Sequence, residues 1–318
     1  MQLWTDPADV PADLPPTSVT IGTFDGVHAG HRALLDLVVA DAARGLFPVA
    51  VTFDPHPMAV VRPDLAPALL TTVHHRADLL GDAGCEGVLV LQFTKERAAQ
   101  TAEDFVRDIL VETLHASHVI VGRNFRFGHR AAGDVALLQQ MGDDLGFQVT
   151  PLDLVALEGQ EPASSTAVRA LIAAGDVGAA CVVLGRPHRL TGTVVRGDQR
   201  GRDLGFPTAN LDLDPALAVP ADGVYAAWVR FSGQGESWRP AAVSIGTNPT
   251  FDGQDRRVEA YVLDVPDTFD VYHQVADIDF VERLRGMHRF TDVAELVAQM
   301  HTDVEQARAA LRVARSEG

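Results

Sequence analysis

Three groups of residues in this 318-residue chain have the types and spacing for chemistry on phosphates. The first is Gly22-Thr23-Phe24-Asp25-Gly26-Val27-His28-Ala29-Gly30-His31. Positions three apart share a helix face, so His28 and His31 can touch one anion together. Glycines at 22, 26 and 30 let the backbone approach a ligand closely. N–H groups at a helix start lack intrahelical partners and attract phosphate. The same pair could be half of a metal site or a packed surface feature, but no third ligand follows at a diagnostic spacing.

The second group runs from Gly197 to Asn210. Gly197 and Gly201 supply flexible backbone, and Arg200 and Arg202 supply the forked donors that suit polyphosphate. Thr208 and Asn210 are two apart, which places them on one side of a strand. A hydroxyl and an amide oxygen there are hard ligands of the kind Mg²⁺ takes. A simple turn capped by Asn210 accounts for the same residues. The third is Glu259, inside the apolar run Arg257–Val262. Alternation puts it with Tyr261 and opposite Val258, Ala260 and Val262, so it faces solvent or a pocket.

Composition narrows the means available. The chain has a formal net charge of −17 and is 47% hydrophobic, enough to bury two cores. Such an acidic chain is not expected to bind nucleic acid or an anionic membrane through bulk charge. Lys95 is the single lysine, and no Gly-Lys-Ser/Thr ending exists, so a P-loop is excluded. Cys85 and Cys181 stand far apart and read as two reduced, buried thiols. The first residues carry neither a basic stretch nor an apolar run, and no stretch of about 20 apolar residues occurs. A cytoplasmic protein with small-molecule partners is expected, with room for a transient homo-oligomer.

These groups need elements to position them. Short apolar runs at Ser18–Ile21, Pro48–Phe53, Gly87–Gln92, His118–Val121 and Gln148–Thr150 alternate with helical patterns near 30–43, 73–81, 102–113 and 134–144. Leu34, Leu37, Val38 and Ala42 give the first helix its predicted buried face. This alternation predicts a parallel sheet covered on both sides, with ligands at the carboxyl ends of its strands. Those ends carry Gly22–His31, Asp54-Pro55-His56-Pro57 and Gly122–Gly128. Ser164-Ser165-Thr166 then caps a helix through Ile172, and a second helix ends near Leu184. From His188 the pattern turns to period two, with strands expected at 189–195, 223–230, 240–246, 257–264 and 271–278. Turns such as Thr250-Phe251-Asp252-Gly253 separate them, which predicts a small antiparallel barrel. Val293, Leu296, Val297, Met300, Val304, Ala307 and Leu311 mark one face of a closing helix.

In this order the motifs resemble those of the prokaryotic bifunctional riboflavin kinase/FAD synthetases, over nearly the whole chain. Gly22–His31 resembles the adenylyltransferase signature, and Gly122-Arg123-Asn124-Phe125-Arg126-Phe127-Gly128 its second loop. Ser164–Arg169 is similar to a Ser-Ser-Thr-x-x-Arg segment. Gly205-Phe206-Pro207-Thr208-Ala209-Asn210 resembles the kinase signature, with Val258-Glu259 further on.

The resemblance implies an α/β plus all-β chain. Residues 1–184 would be a Rossmann-like FMN adenylyltransferase domain, and residues 185–318 a riboflavin kinase barrel closed by a helix. The kinase would move the ATP γ-phosphate to riboflavin, with Glu259 as general base and Thr208 and Asn210 on Mg²⁺. The other domain would join AMP from ATP to FMN, releasing pyrophosphate and FAD. His28 and His31 would serve its chemistry, while Gly22, Phe24, Asp25, Gly26, Asn124, Ser165, Thr166 and Arg169 hold nucleotide. Phe53, Pro55, His56, Pro57 and Phe127 would line the flavin side. In the kinase, Gly197, Arg200, Gly201 and Arg202 would hold ATP.

One departure is visible. Some relatives carry a basic residue just before Ser-Ser-Thr, where this chain has Glu161-Pro162-Ala163. Arg123, Arg126 and Arg130 are the candidates to replace it. The competing readings are a chain with one working half, a flavin-binding protein without catalysis, and a nucleotidylyltransferase acting on another phosphorylated substrate.

Overall fold

The structure is a computed structural model that describes residues 1–153, 163–197, 204–235, 237–247, 256–266, 268–290 and 292–316. It divides into two compact units, Met1–Pro67 with Thr71–Ser165 and Ala68–Leu70 with Thr166–Gly318.

The first unit is built on a six-stranded parallel sheet: β1 (Gln2–Trp4), β2 (Thr17–Ile21), β3 (Phe47–Asp54), β4 (Gly87–Gln92), β5 (Ala116–Gly122) and β6 (Gln148–Leu152). Around it run α1 (Ala29–Ala40), α2 (Pro57–Val61), α3 (Val73–Asp82), α4 (Lys95–Ala99), α5 (Ala102–Phe105) and α6 (Val135–Leu145). The wider π-type turns of Val106–Thr113 extend α5. Period-two alternation feeds both faces of the sheet. Val49, Val51, Leu89 and Leu91 pack with Phe105 and Ile109 on one side. On the other, Ala50, Val88 and Val90 pack with Leu35, Ala77 and Leu80.

Strand order is β1-β4-β3-β2-β5-β6. From β2 the chain runs outward through β3 and β4, then crosses back to place β5 on the other side of β2. The reversal between β2 and β5 is the kind of switch point at which open α/β sheets bind ligands. It explains why the loops after β3, β2 and β5 share one edge: these strands are neighbours.

The five expected strands are present. β1 is additional, and its three residues are too short to show alternation. The buried face of α1 differs from the expected one. Leu34, Leu35, Val38 and then Asp41 face inward, whereas Leu37 is 38% exposed and Ala42 lies outside. A buried carboxylate takes the fourth place because it is satisfied there. Asp41 accepts from Ser18 Oγ (2.7 Å), Arg44 Nη1 (2.9 Å) and His118 Nδ1 (2.5 Å). Burial pushes the Asp41 carboxyl up, but these hydrogen bonds outweigh it and hold the group below its ordinary range.

The second unit is a closed antiparallel barrel of order β10-β11-β8-β7-β12-β9. Its strands are β7 (His188–Val195), β8 (Ala209–Leu213), β9 (Gly223–Phe231), β10 (Arg239–Thr247), β11 (Arg256–Val262) and β12 (Val275–Arg285). β12 starts later than expected and runs longer, bending through register shifts at Phe280/Glu282 and Arg283/Arg285. Alternate residues such as Leu190, Val194, Val229, Ile245, Ala260 and Ile278 fill the interior.

Two helices, α7 (Ser165–Ala174) and α8 (Val177–Leu184), add Val168, Ile172, Val177, Ala180 and Leu184 to that same core. The compact units therefore part at Ser165/Thr166, before the expected 184/185, because both helices turn their apolar faces to the barrel. The closing helix α9 (Val293–Ser316) lays Ala307 and Leu311 against Ala226, Ala242 and Leu263. Its first residue, Val293, is 60% exposed instead of joining that face. Cys85 is buried, and burial pushes its thiol up to about 12. Cys181 is only half-buried, contrary to expectation. The turn at 250–253 lies outside the described residues.

Candidate active sites in two compact units

In the first unit the chain leaves β2 and turns sharply before α1. Gly26 has φ +86°, and two residues that are not glycine also lie in the left-handed region, Phe24 at +46° and Val27 at +40°. Each such L-residue costs roughly 1–2 kcal/mol and persists only where the surroundings dictate it. Phe24 and Val27 are buried with Leu35 and Leu80, which anchors the loop from beneath. Asp25 is fully buried, and its Oδ1 accepts from both Thr71 N and Thr71 Oγ1 at 3.1 Å. Its carboxylate therefore braces the loop.

His28 is the N-cap of α1 but makes no side-chain cap hydrogen bond, so the helix start is not closed by its own imidazole. The rings of His28 and His31 stack with centroids 3.7 Å apart, and Phe24 meets His31 edge-on at 5.2 Å. A side chain at Gly30 would press on the His28 ring (3.2 Å) and Ala163 O (3.1 Å), so the residue between the histidines must be small. Desolvation, then the neighbouring His28 and Arg76, hold the His31 imidazole well below its ordinary pKa. A neutral imidazole still donates one N–H to a phosphate oxygen.

The neighbouring strand ends complete this edge. After β3, the Asp54–Pro55 peptide is cis, and His56 Nδ1 accepts from Met58 N (3.2 Å) to cap α2, with Pro57 at its first position. Phe53 is half-buried against Phe93, with ring centroids 5.6 Å apart. After β5, Asn124 is exposed, and its Oδ1 lies 3.2 Å from where a Cβ on Gly122 would stand.

Phe127 is only 8% exposed, in the core, with Phe125 stacked on it at 5.3 Å. The ring left half-open on this loop is Phe125, not Phe127. Ser165 Oγ donates to Asp25 O at 2.8 Å and so joins the His-bearing loop. Thr166 and Arg169 fall in the second unit, where Arg169 Nε donates to Ala68 O at 2.6 Å. Of the arginines that could replace the absent upstream base, Arg123 pairs with Asp153 and Arg126 with Asp134 at 3.5 Å. Arg130 makes no ion pair among the described residues.

In the barrel, β11 pairs with β8 so that Glu259 stands opposite Asn210. Val258 and Ala260 point into the core, which turns Glu259 and Tyr261 the other way. Ala209 and Leu211 are likewise buried, leaving Thr208 and Asn210 half-exposed on the Glu259 side. Thr208 Oγ1 donates to Glu259 Oε2 at 3.2 Å. Gly197 closes over the cluster: a Cβ there would stand 2.5 Å from the Asn210 amide. A hydroxyl, an amide and a carboxylate thus meet, the hard oxygen donors that fit Mg²⁺. Beside them opens a cleft of about 940 Å³, lined by Gly197, Asn210, Asp212, Arg169, Arg256 and Arg257 among others. Arg200, Gly201 and Arg202 lie outside the described residues.

Sequence reasoning passed over Arg76, Thr71 and Thr52 in the first unit. The signal for Arg76 was present: it occupies the apolar stripe of α3 with Val73, Ala77 and Leu80, where a charge is out of place.

A Rossmann-like unit bearing a stacked histidine pair and a barrel bearing a threonine–glutamate cluster define a two-site transferase. Residues 10–167 match the FAD synthetase family and residues 184–311 the riboflavin kinase family. The chain is 39% identical over 291 residues to the bifunctional riboflavin kinase/FMN adenylyltransferase of Escherichia coli (strain K12), covering 91% of each chain. The enzyme of the same name from Listeria monocytogenes is 34% identical over 311 residues, covering 96% of this chain and 93% of that one. A solved structure named as a macrolide-efflux protein from Streptococcus pneumoniae superposes with a TM-score of 0.83 at 31% identity, over 96% of this chain and 98% of that one. No described helix here is long and apolar enough to cross a membrane. The chain belongs to the bifunctional riboflavin kinase/FMN adenylyltransferase family.

Proposed function

We propose that residues 185–318 convert riboflavin to FMN and that residues 1–184 convert FMN to FAD, each step consuming one ATP. The observation that carries this reading is that the stacked histidine pair and the Thr208–Glu259 cluster lie in two separate compact units.

The kinase nucleophile is a neutral alcohol, the 5′-hydroxyl of riboflavin. Glu259 takes its proton as the new O–P bond forms to the γ-phosphorus and ADP leaves. Thr208, through its hydrogen bond, fixes the carboxylate in position. Thr208 and Asn210 would hold Mg²⁺, which when bound offsets the charge of the ATP phosphates. Gly197, Arg200, Gly201 and Arg202 would hold the nucleotide.

Adenylyl transfer makes different demands. The FMN phosphate is already ionised, so it attacks the α-phosphorus of ATP without a strong base, and pyrophosphate leaves. What the chain supplies is positioning and stabilisation of the developing negative charge. The His28 and His31 rings and the N–H groups at the start of α1 would be the donors. Gly22, Phe24, Asp25, Gly26, Asn124 and Ser165 shape the nucleotide side, and Phe53, Pro55, His56 and Pro57 the flavin side. Roles for Thr166, Arg169 and Phe127 belong to the same proposal, as do cytoplasmic residence and small-molecule partners.

The test is a time course of purified protein with riboflavin, ATP and Mg²⁺, with flavins resolved by chromatography. FMN should appear first and FAD follow. Riboflavin left unchanged, though bound, would remove catalysis from the reading.

A further inference from the structure

Arg76 is 1% exposed, yet it is an arginine on the buried face of α3. Its Nη1 donates to Thr52 Oγ1 at 3.2 Å and to Phe53 O at 3.0 Å, and its Nε reaches Thr71 Oγ1 at 3.5 Å. Arginine is donor-only, so each threonine hydroxyl that accepts from it must turn its own proton elsewhere. Both protons go to the loop that bears the histidines. Thr52 Oγ1 donates to Thr23 O at 3.0 Å, and Thr71 Oγ1 donates to Asp25 Oδ1 at 3.1 Å. Thr71 Oγ1 also accepts from Gly26 N at 3.4 Å.

One planar group thus holds the β2 loop at residues 23, 25 and 26, through two hydroxyls, and the end of β3 directly. The arms end on the stretch where Phe24, Gly26 and Val27 take left-handed backbone. Phe53, the third contact, opens the loop that carries Pro55, His56 and Pro57.

We propose that Arg76 is a positioning residue for adenylyl transfer, locking the histidine loop to the flavin-side loop and keeping a fixed positive charge behind the histidine pair. The assignment rests on reading this unit as the FMN adenylyltransferase. The charge favours the anionic reactants that this loop must receive, and it adds to the depression of the His31 pKa. Lysine would keep the charge, but its single ammonium cannot reproduce the fork. Methionine would remove both at similar bulk.

The experiment compares Arg76→Lys and Arg76→Met in the full-length protein by FMN adenylylation, kinase rate and NMR titration of the His31 imidazole. Both variants should lose between about tenfold and a hundredfold in adenylylation kcat, the scale of a small misplacement of reacting groups. Their kinase rates should be unchanged. The His31 midpoint should rise in Arg76→Met and stay low in Arg76→Lys. A purely structural role would lower stability and leave both the titration and the kcat per folded molecule alone, which would overturn the proposal. If Arg76→Met fails to fold, Arg76→Lys and Thr71→Val decide, since each cuts arms and keeps the charge: wild-type kcat in both sinks the idea. A wild-type chain that makes no FAD would instead refute the activity reading, while the titration would still judge the charge of Arg76.

Discussion

At the scale of single residues, the histidine pair shows how position fixes role. His28 and His31 lie one above the other at the start of α1 because their spacing is close to one helical turn. On the proposed reading, replacing His31 with alanine removes a donor to the α-phosphate. The expected cost is about 2.7–4 kcal/mol of barrier by analogy with a lost oxyanion-hole donor, read as the fall in FAD formed from supplied FMN. The same histidine also predicts a pH effect on stability. Its folded-state pKa lies below the unfolded value of about 6.5. The unfolded chain therefore binds the proton first, and stability falls as pH drops through the window below about 6.5. Thermal unfolding of wild type and His31→Gln between pH 7 and 5 should show the smaller loss in the variant. Equal losses would assign the effect to other histidines.

At the scale of elements, both faces of the parallel sheet are buried, so alternation and helical period were enough to find five of its strands and the four longer helical stretches between them, though not the five-residue α2 and α4. The placement of Glu259 was legible for the same reason: three apolar neighbours fix which way a strand residue must face. Less legible were features set by partners distant in sequence. Leu37 was expected in the core and lies outside, since Asp41 finds Ser18 and His118 only once the sheet has formed. The resemblance sets Phe127 on the flavin side, and nothing in the local sequence shows that Phe105 and Phe125 pack against its ring. α7 and α8 were expected to close the first domain, yet their apolar faces belong to the barrel's core.

Contact at element scale also separates function from stability at Gly197. A methyl there would stand 2.5 Å from the Asn210 side-chain amide, the far end of a side chain that can swing away. Gly197→Ala should therefore melt close to wild type but lose kinase activity, because Asn210 leaves the Thr208–Glu259 cluster. Intact kinase turnover in that variant would show that the position of Asn210 is not needed.

At the scale of the whole molecule, each site belongs to a unit with its own core, and this makes the two activities separable. If Glu259 is the base for the alcohol, Glu259→Gln removes it and leaves the histidine loop untouched, so the variant should convert supplied FMN to FAD and leave riboflavin unreacted. His31→Ala should do the reverse and accumulate FMN. The decisive case is an equimolar mixture of the two variants given riboflavin and ATP. FMN made by the His31→Ala chain is a small anion that leaves into solvent, where the Glu259→Gln chain can capture it. FAD should then form after a lag that shortens as total protein concentration rises, because free FMN must build up toward the second site's KM. Absence of FAD, with both variants active on their own substrates, would mean that the two units must act within one chain.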